Sequence, residues 1–325
     1  MSVPFSDQGY LVYEIMVILM LLIGVPSQMV AFFVFTRKKF RQMTLNKLFL
    51  NIVIANLIMI FCEFPLIMVS AFYKKWLFGR VGCIATGAQV TVTSITMIIT
   101  LVCIEAKVMF YINMSEAHPL SKLLGPLKEN ALVVLIWTYA GICTVPTVSG
   151  WSEITLEPGE INCAPNWTAQ APKDVAYLAL LTIFAYVLPV SVQIRSFWKL
   201  WKRSNQQLES ISSAAVFLRN RAMYRSKGRM VMASTITFTL LWLPYCICSL
   251  ITLSGKAYLV ENDAAIIPTL VAKCSCIFSP IVYAVTSRRF RREFQSVLFC
   301  ELTSTTNQGR PTLPRRDDVV IVTKF

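Results

Sequence analysis

Charge is scarce in this sequence. Of 325 residues only 15% are Asp, Glu, Lys or Arg, while 55% are hydrophobic. A soluble globular chain has about 25% charged and about 45–50% apolar residues. The shortage excludes an ordinary water-facing surface, and a mean hydropathy of +0.59 points to a bilayer as the solvent. Histidine is nearly absent, His118 being the only one, and the ten cysteines include no CxxC pair and no metal-ligand spacing. A zinc site and a histidine-based catalytic triad are excluded with them. The opening MSVPFSDQGY has no basic run and no cleavage site before the first apolar stretch. No removable signal peptide is expected there, and the first helix serves as its own insertion signal. Acidic residues are outnumbered 17 to 31 by Lys and Arg, a net charge of +14, so the placement of the basic residues must decide whether nucleic acid is a partner.

What is there in plenty is long apolar runs. A helix needs roughly 20 mostly apolar residues to cross the hydrocarbon core. Seven segments qualify: about 11–36, 46–70, 84–110, 131–149, 175–194, 230–252 and 264–286. Helices are the only reading, because open sheet edges are not tolerated in lipid. Prolines inside the runs (Pro26, Pro65, Pro146, Pro189, Pro244, Pro280) are expected as kinks. The fold class is therefore all-α, a seven-transmembrane bundle over 11–286.

With the N-terminus (1–10) outside, the basic residues gather on the cytoplasmic side. Arg37, Lys38, Lys39, Arg41 and Lys47 lie in the first loop, and Arg195–Arg229 and Arg288–Arg292 supply the rest. This asymmetry predicts a multi-pass protein of the cell membrane, C-terminus inside. It accounts for the net charge through anionic lipid and an acidic cytosolic partner, with no nucleic acid. After the last span, SRRFRREFQSVLF puts Phe290, Phe294, Val297 and Leu298 on one helical face. An amphipathic helix over 287–300, lying on the membrane, is expected. Cys300 is a candidate for lipidation, and 301–325 is a polar, Thr/Ser-rich tail expected to be disordered.

The chemistry begins at Lys273, in IIPTLVAKCSCIFSPIVY. A charge at the centre of a span costs at least roughly 2.5–3.5 kcal/mol, so such a residue marks a functional site by default. Two readings follow: an amine poised to attack an aldehyde, or a lysine paired with a carboxylate in a hydrated ligand or ion site. Trp242, Pro244 and Tyr245 stand in TLLWLPY, Trp137 precedes Trp151 by fourteen residues, and Cys83 and Cys163 flank the apparent outer side.

In these features the chain resembles the opsins of the rhodopsin-like receptor superfamily, over roughly residues 11–300. Opsins place the retinal lysine five residues after a helix-7 proline and six before an NPxxY motif. Here Pro268 precedes Lys273 by five, and Ser279-Pro280-Ile281-Val282-Tyr283 begins six after it. The resemblance implies retinal (11-cis or all-trans) bound as a Schiff base on Lys273, with Trp242 and Tyr245 walling the polyene. It implies a Cys83–Cys163 disulfide pinning the second extracellular loop over the pocket. That loop also carries the glycosylation sequon Asn166-Trp167-Thr168.

A protonated Schiff base in a low-dielectric site needs an anion. The position that holds a glutamate in vertebrate visual opsins is Thr86 here. Most other opsins use a loop glutamate six residues before the loop cysteine, which is Glu157, with Glu160 as a fallback. Glu63, in FCEFP of the second span, is a second candidate, as partner or replacement; Glu157 is preferred.

The departures cluster at the cytoplasmic end. The family's D/E-R-Y triplet falls on Lys107-Val108-Met109, the helix-1 asparagine on Gln28 and the helix-2 aspartate on Asn56. Light absorption is thus better supported than G protein coupling. The leading reading is a non-enzymatic photoreceptor signalling to a heterotrimeric G protein or arrestin through the third loop and the surface helix. The alternatives are a retinochrome-like photoisomerase and a chemoreceptor for a non-retinal ligand.

Overall fold

The computed structural model describes residues 5–112, 119–168, 170–206, 215–260 and 266–299. Cys300, His118 and the tail fall outside them. Six helices are long and apolar enough to cross a membrane, and a seventh span is a pair of helices bent by 41° at one break. The chain is a seven-helix bundle. In order, the spans are α1 (Asp7–Thr36), the pair α3 (Asn46–Cys62) and α4 (Phe64–Phe72), then α5 (Gly79–Ile112) and α7 (Glu129–Val148). The fifth is α8 (Pro172–Thr182), a π-helical turn Ile183–Val187 and α9 (Leu188–Gln206). The sixth is α10 (Ala215–Leu253), and the seventh is α11 (Ile266–Lys273) with α12 (Ser275–Thr286). Short helices α2 (Lys38–Arg41) and α6 (Pro119–Leu124) lie between spans, and α13 (Arg288–Leu298) follows the last.

The bundle is turned inside out relative to a soluble protein. Leu22 (66% exposed), Ile142 (65%) and Val285 (70%) face outward, while Gln28, Asn51, Asn56, Glu63, Thr100 and Lys273 are buried. Lipid accepts the first group and cannot hydrate the second, so several of the polar side chains bond one another or a neighbouring backbone. Asn51 is the clearest case. Its Nδ2 donates to Thr100 Oγ1 (2.9 Å) and its Oδ1 accepts from Trp137 Nε1 (2.8 Å), joining α3, α5 and α7.

Prolines accompany three irregularities of the spans. Pro65 follows the break at Glu63, which separates α3 from α4. Pro280 has no N–H to give the carbonyl of Cys276 four residues earlier, and Gln28 Nε2 on α1 takes that carbonyl instead. Near Pro189 the helix loosens into the π turn, where the Phe184 carbonyl accepts Tyr139 Oη from α7 (2.9 Å). Two of these kinks are thus fastened by a neighbouring span.

A two-stranded antiparallel hairpin covers one end of the bundle. β1 (Ile154–Leu156) pairs with β2 (Cys163–Pro165) in the register Ile154↔Pro165 and Leu156↔Cys163. The disulfide between Cys83 on α5 and Cys163 fixes it there, as the sequence led one to expect. Gly87 is its seat: a Cβ at that position would stand 2.6 Å from Ile154 and 3.2 Å from the Cys163 carbonyl oxygen. The hairpin turn is held from the other side, where Tyr10 Oη donates to the Gly159 carbonyl (2.9 Å).

At the opposite end α13 docks by its apolar face. Ser287 caps it, accepting from Phe290 N (3.2 Å). Phe290 enters an aromatic cluster with Phe35, Phe40 and Tyr283, at 5.2 Å from the Phe35 ring centroid and 5.6 Å from that of Tyr283. Phe294 and Val297 pack against the same core, whereas Leu298 is exposed. Glu293 pairs with both Arg37 (2.7 Å) and Lys39. The hydrogen bond from Lys39 is the main influence that holds the Glu293 carboxyl below the usual carboxylate range, helped by Arg37 and opposed by partial burial.

A carboxyl depressed in the folded state stabilises above its unfolded value and loses that contribution as pH falls through the folded one. Protection of α13 amides, corrected for intrinsic exchange, is therefore expected to fall as pH drops from about 5 to below about 4. Glu293→Gln should flatten that dependence. Hydrogen exchange followed by mass spectrometry reads both.

Candidate functional site

Two helix breaks face each other inside the bundle. Lys273 is the last residue of α11, before the break at Cys274, and Glu63 occupies the break between α3 and α4. Their side chains form a buried ion pair, Lys273 Nζ to Glu63 Oε1, with Lys273 6% and Glu63 0% exposed. Helix ends project side chains away from the regular ladder, so a break on each partner lets the two charges meet.

Lys273 also lines a cavity roofed by the hairpin. The cavity has about 140 Å³ open to the centres of water-sized spheres. One water needs only about 10–15 Å³ on that measure, so the space suits an organic ligand. Ile95, Ile98, Leu181, Tyr186, Phe238 and Trp242 give it a largely apolar, aromatic wall. Phe238 stacks on Trp242 with ring centroids 5.6 Å apart. Trp242 Nε1 donates to Ser275 Oγ (3.3 Å), so the aromatic floor on α10 is tied to α12 just beyond the Lys273 break.

Glu157 lines the cavity from the hairpin side. Its Oε1 accepts from Tyr245 Oη (2.9 Å) and its Oε2 from Asn162 Nδ2 (2.7 Å). Tyr245 Oη in turn accepts from Trp167 Nε1 (3.1 Å). The sequence favoured Glu157 over Glu63 as the anion for Lys273. In the structure Glu63 is the residue paired with Lys273, and Glu157 is engaged by neutral donors. Glu160 sits in the hairpin turn with φ 56°, where its N–H donates to the Glu157 carbonyl (3.0 Å). Thr86, buried on α5, bonds its own helix at the Gly82 carbonyl (2.7 Å). Asn166 is half-buried with Oδ1 accepting from Thr168 Oγ1 (2.8 Å).

Phe238, Asn162, Trp167 and Ser275 are site residues that the sequence did not single out. Asn162 and Trp167 adjoin residues that were (Cys163, Asn166), but only the fold turns the four toward Trp242, Tyr245 and Glu157.

At the far end, Lys107 Nζ donates to the backbone carbonyls of Gly125 (3.0 Å) and Leu127 (2.6 Å). The lysine closes the turn after α6. Val108 is buried, and a Cβ on Gly228 of α10 would stand 3.6 Å from it. α5 and α10 meet here through apolar contact. Glu105 is buried beside them, and neither of its carboxylate oxygens has a hydrogen-bond partner among the described residues.

The family model described as "7 transmembrane receptor (rhodopsin family)" matches residues 28–283. The chain belongs to that family. The relatives it resembles include melanopsins and rhodopsins. It is 28% identical to melanopsin of Phodopus sungorus over 97% of this chain and 69% of that one. It is 25% identical to "Rhodopsin, G0-coupled" of Mizuhopecten yessoensis over 88% of this chain and 72% of that one. Against rat melanopsin the identity is 26%, and the chain spans 64% of that relative's length. The crystal structure of squid rhodopsin superposes with a TM-score of 0.79 at 19% identity, covering 92% of this chain and 88% of the other. The rhodopsin-family fold is thus kept at low sequence identity.

Removing one partner of a buried ion pair leaves the other charge uncompensated, at a cost of about 3–5 kcal/mol, whereas removing both is far less harmful. Lys273→Met and Glu63→Leu are each expected to lower the thermal stability of the purified protein. The double variant should regain most of the loss. A double variant no better than the worse single would mean that the pair is not coupled.

Proposed function

We propose that this rhodopsin-family receptor is a light-sensing opsin that holds retinal covalently on Lys273, with Glu63 as the anion at the attachment nitrogen. One observation carries the reading: the buried amine of Lys273 opens into an apolar cavity while its charge is met from behind by Glu63. Retinal supplies, when bound, a conjugated chain that absorbs light and a double bond that light isomerises.

The chain's own residues do the rest. Glu63 keeps a proton on Nζ favourable in a low-dielectric site. Glu157, bonded to Tyr245 and Asn162, is the second negative group at the cavity and a reserve for the same role. Phe238, Trp242 and Tyr245 limit the room in which a bound chain can twist. The hairpin, held by Cys83–Cys163 and seated on Gly87, keeps bulk water out. A change in cavity shape would be felt at the Trp242–Ser275 bond, where α10 meets α12, and so would bias the bend of the seventh span. That is a two-state shift of the kind a cytosolic partner can read.

We place the hairpin and N-terminus outside the cell and α13 on the cytoplasmic membrane surface, on the distribution of Lys and Arg. A G protein or arrestin would meet the cytoplasmic extensions of α9 and α10, together with α13. Cys300 as a lipid anchor and Asn166 as a glycan site complete the reading. Coupling would proceed without an inserted arginine, since Val108 holds that position and Lys107 beside it is committed to loop carbonyls.

Purified protein incubated with 11-cis or all-trans retinal is expected to show a visible band that shifts on illumination and is absent in Lys273→Ala. Glu63→Gln should move the dark band to the near-ultraviolet at neutral pH, and Glu157→Gln should leave it in the visible. The reverse pattern would assign the charge to Glu157, and no band with either isomer would leave a chemoreceptor site. Isomerised retinal that leaves the protein after one illumination would favour a photoisomerase over a receptor.

A further inference from the structure

A second cavity, of about 90 Å³ on the same measure, lies against the first beneath the hairpin. Six residues line both: Glu157, Pro165, Trp167, Tyr245, Ser249 and Thr269. Its remaining lining includes Thr155, Asn166, Thr168, Thr252 and the thiol of Cys248, so it is the more polar in chemistry. Across the wall between the two, Trp167, Tyr245 and Glu157 are joined by side-chain hydrogen bonds. Trp167 Nε1 donates to Tyr245 Oη (3.1 Å), Tyr245 Oη donates to Glu157 Oε1 (2.9 Å), and Asn162 Nδ2 anchors the other carboxylate oxygen (2.7 Å). The Trp167 and Tyr245 rings meet edge to face, 6.2 Å apart at 85°.

We propose that the second cavity is a vestibule through which an apolar aldehyde, and water with it, reaches Lys273, and that Trp167, Tyr245 and Glu157 form its gate. The inference rests on the reading of Lys273 as the amine that holds an aldehyde. Condensation of an aldehyde with an amine joins carbon to nitrogen and releases one water; the reverse consumes one. A buried lysine that loads and unloads such a ligand therefore needs a path for water as well as for carbon. The gate supplies it without disturbing the fold, because turning Trp167 and Tyr245 breaks two side-chain hydrogen bonds and no strand or helix pairing. The hairpin backbone stays pinned by Cys83–Cys163 and Gly87 throughout. The polar vestibule accepts the carbonyl and its water, and the apolar inner cavity retains the hydrocarbon.

The experiment need not involve retinal. Full-length protein in detergent is treated with benzaldehyde and cyanoborohydride, and the rate of reductive alkylation at Lys273 is followed by peptide mass spectrometry. A bulky maleimide on Cys248 should plug the vestibule and slow the reaction, and Cys248→Ser should make it indifferent to maleimide. Trp167→Ala should speed it about three- to tenfold, the factor given by the loss of one hydrogen bond of ordinary strength. Leu181→Ala enlarges the inner cavity without touching the vestibule and should have a smaller effect. Labelling unaffected by the plug, or equally fast in Leu181→Ala and Trp167→Ala, would overturn the proposal. Absence of a visible pigment with retinal would count against the opsin reading alone, since the Lys273 rates are measured without it.

Discussion

The Lys273–Glu63 pair is the constraint around which the membrane half of this protein is arranged. An amine and a carboxylate within a bilayer are each prohibitive alone, and they are tolerable only when brought into contact and sealed from lipid. Contact requires side chains that leave their helices at a matched depth. The chain achieves this by breaking the second span at Glu63 and the seventh at Cys274. Elsewhere the kinked spans free backbone carbonyls that neighbours take up: Gln28 bonds the Cys276 carbonyl left by Pro280, and Tyr139 bonds Phe184 in the π turn of the fifth span. Electrostatics at one point thus go with a break in each of two spans.

The two ends of the bundle have been specialised differently. Around the cavity, directional bonds link elements far apart in sequence, among them Trp242 to Ser275, Tyr245 to Glu157 and Tyr10 to Gly159. At the arginine-rich end the packing is aromatic and apolar, with Phe290 set among Phe35, Phe40 and Tyr283 and Val108 facing Gly228, while the Glu293 ion pairs and the Lys107 bonds lie around it. A cavity that must fix the orientation of a ligand benefits from hydrogen bonds, whose strength depends on direction. A packed end that changes as a unit is better served by contacts that depend chiefly on area.

Much of this was legible in the sequence, for identifiable reasons. Spans declare themselves by length and apolarity, so the seven runs are where the helices are, although α9 and α10 continue well past the runs at 175–194 and 230–252. Apolarity marks where a chain is in lipid, while helix formation continues into water. The disulfide was readable because Cys83 and Cys163 flank the right runs in a chain resembling opsins. The partner of Lys273 was not readable. Glu63 and Glu157 are both carboxylates within reach by family spacing, and the break at Glu63, which turns it inward, depends on how Pro65 bends a helix already packed against its neighbours. Asn162 and Trp167 were invisible because their roles lie in a three-body geometry with Tyr245 and Glu157. Lys107 read only as a lost family residue, since backbone carbonyls leave no mark in a sequence.

Lys107 makes this corner of the bundle intolerant of single changes. Its amine has become the cap of two carbonyls that would otherwise stand unmet at the turn after α6. Substituting an acid there would set a carboxylate against those same oxygens, and an arginine at Val108 would need room among the apolar neighbours on α10. Neither an acid at 107 nor an arginine at 108 can therefore be introduced alone without disturbing the turn or the contact between α5 and α10.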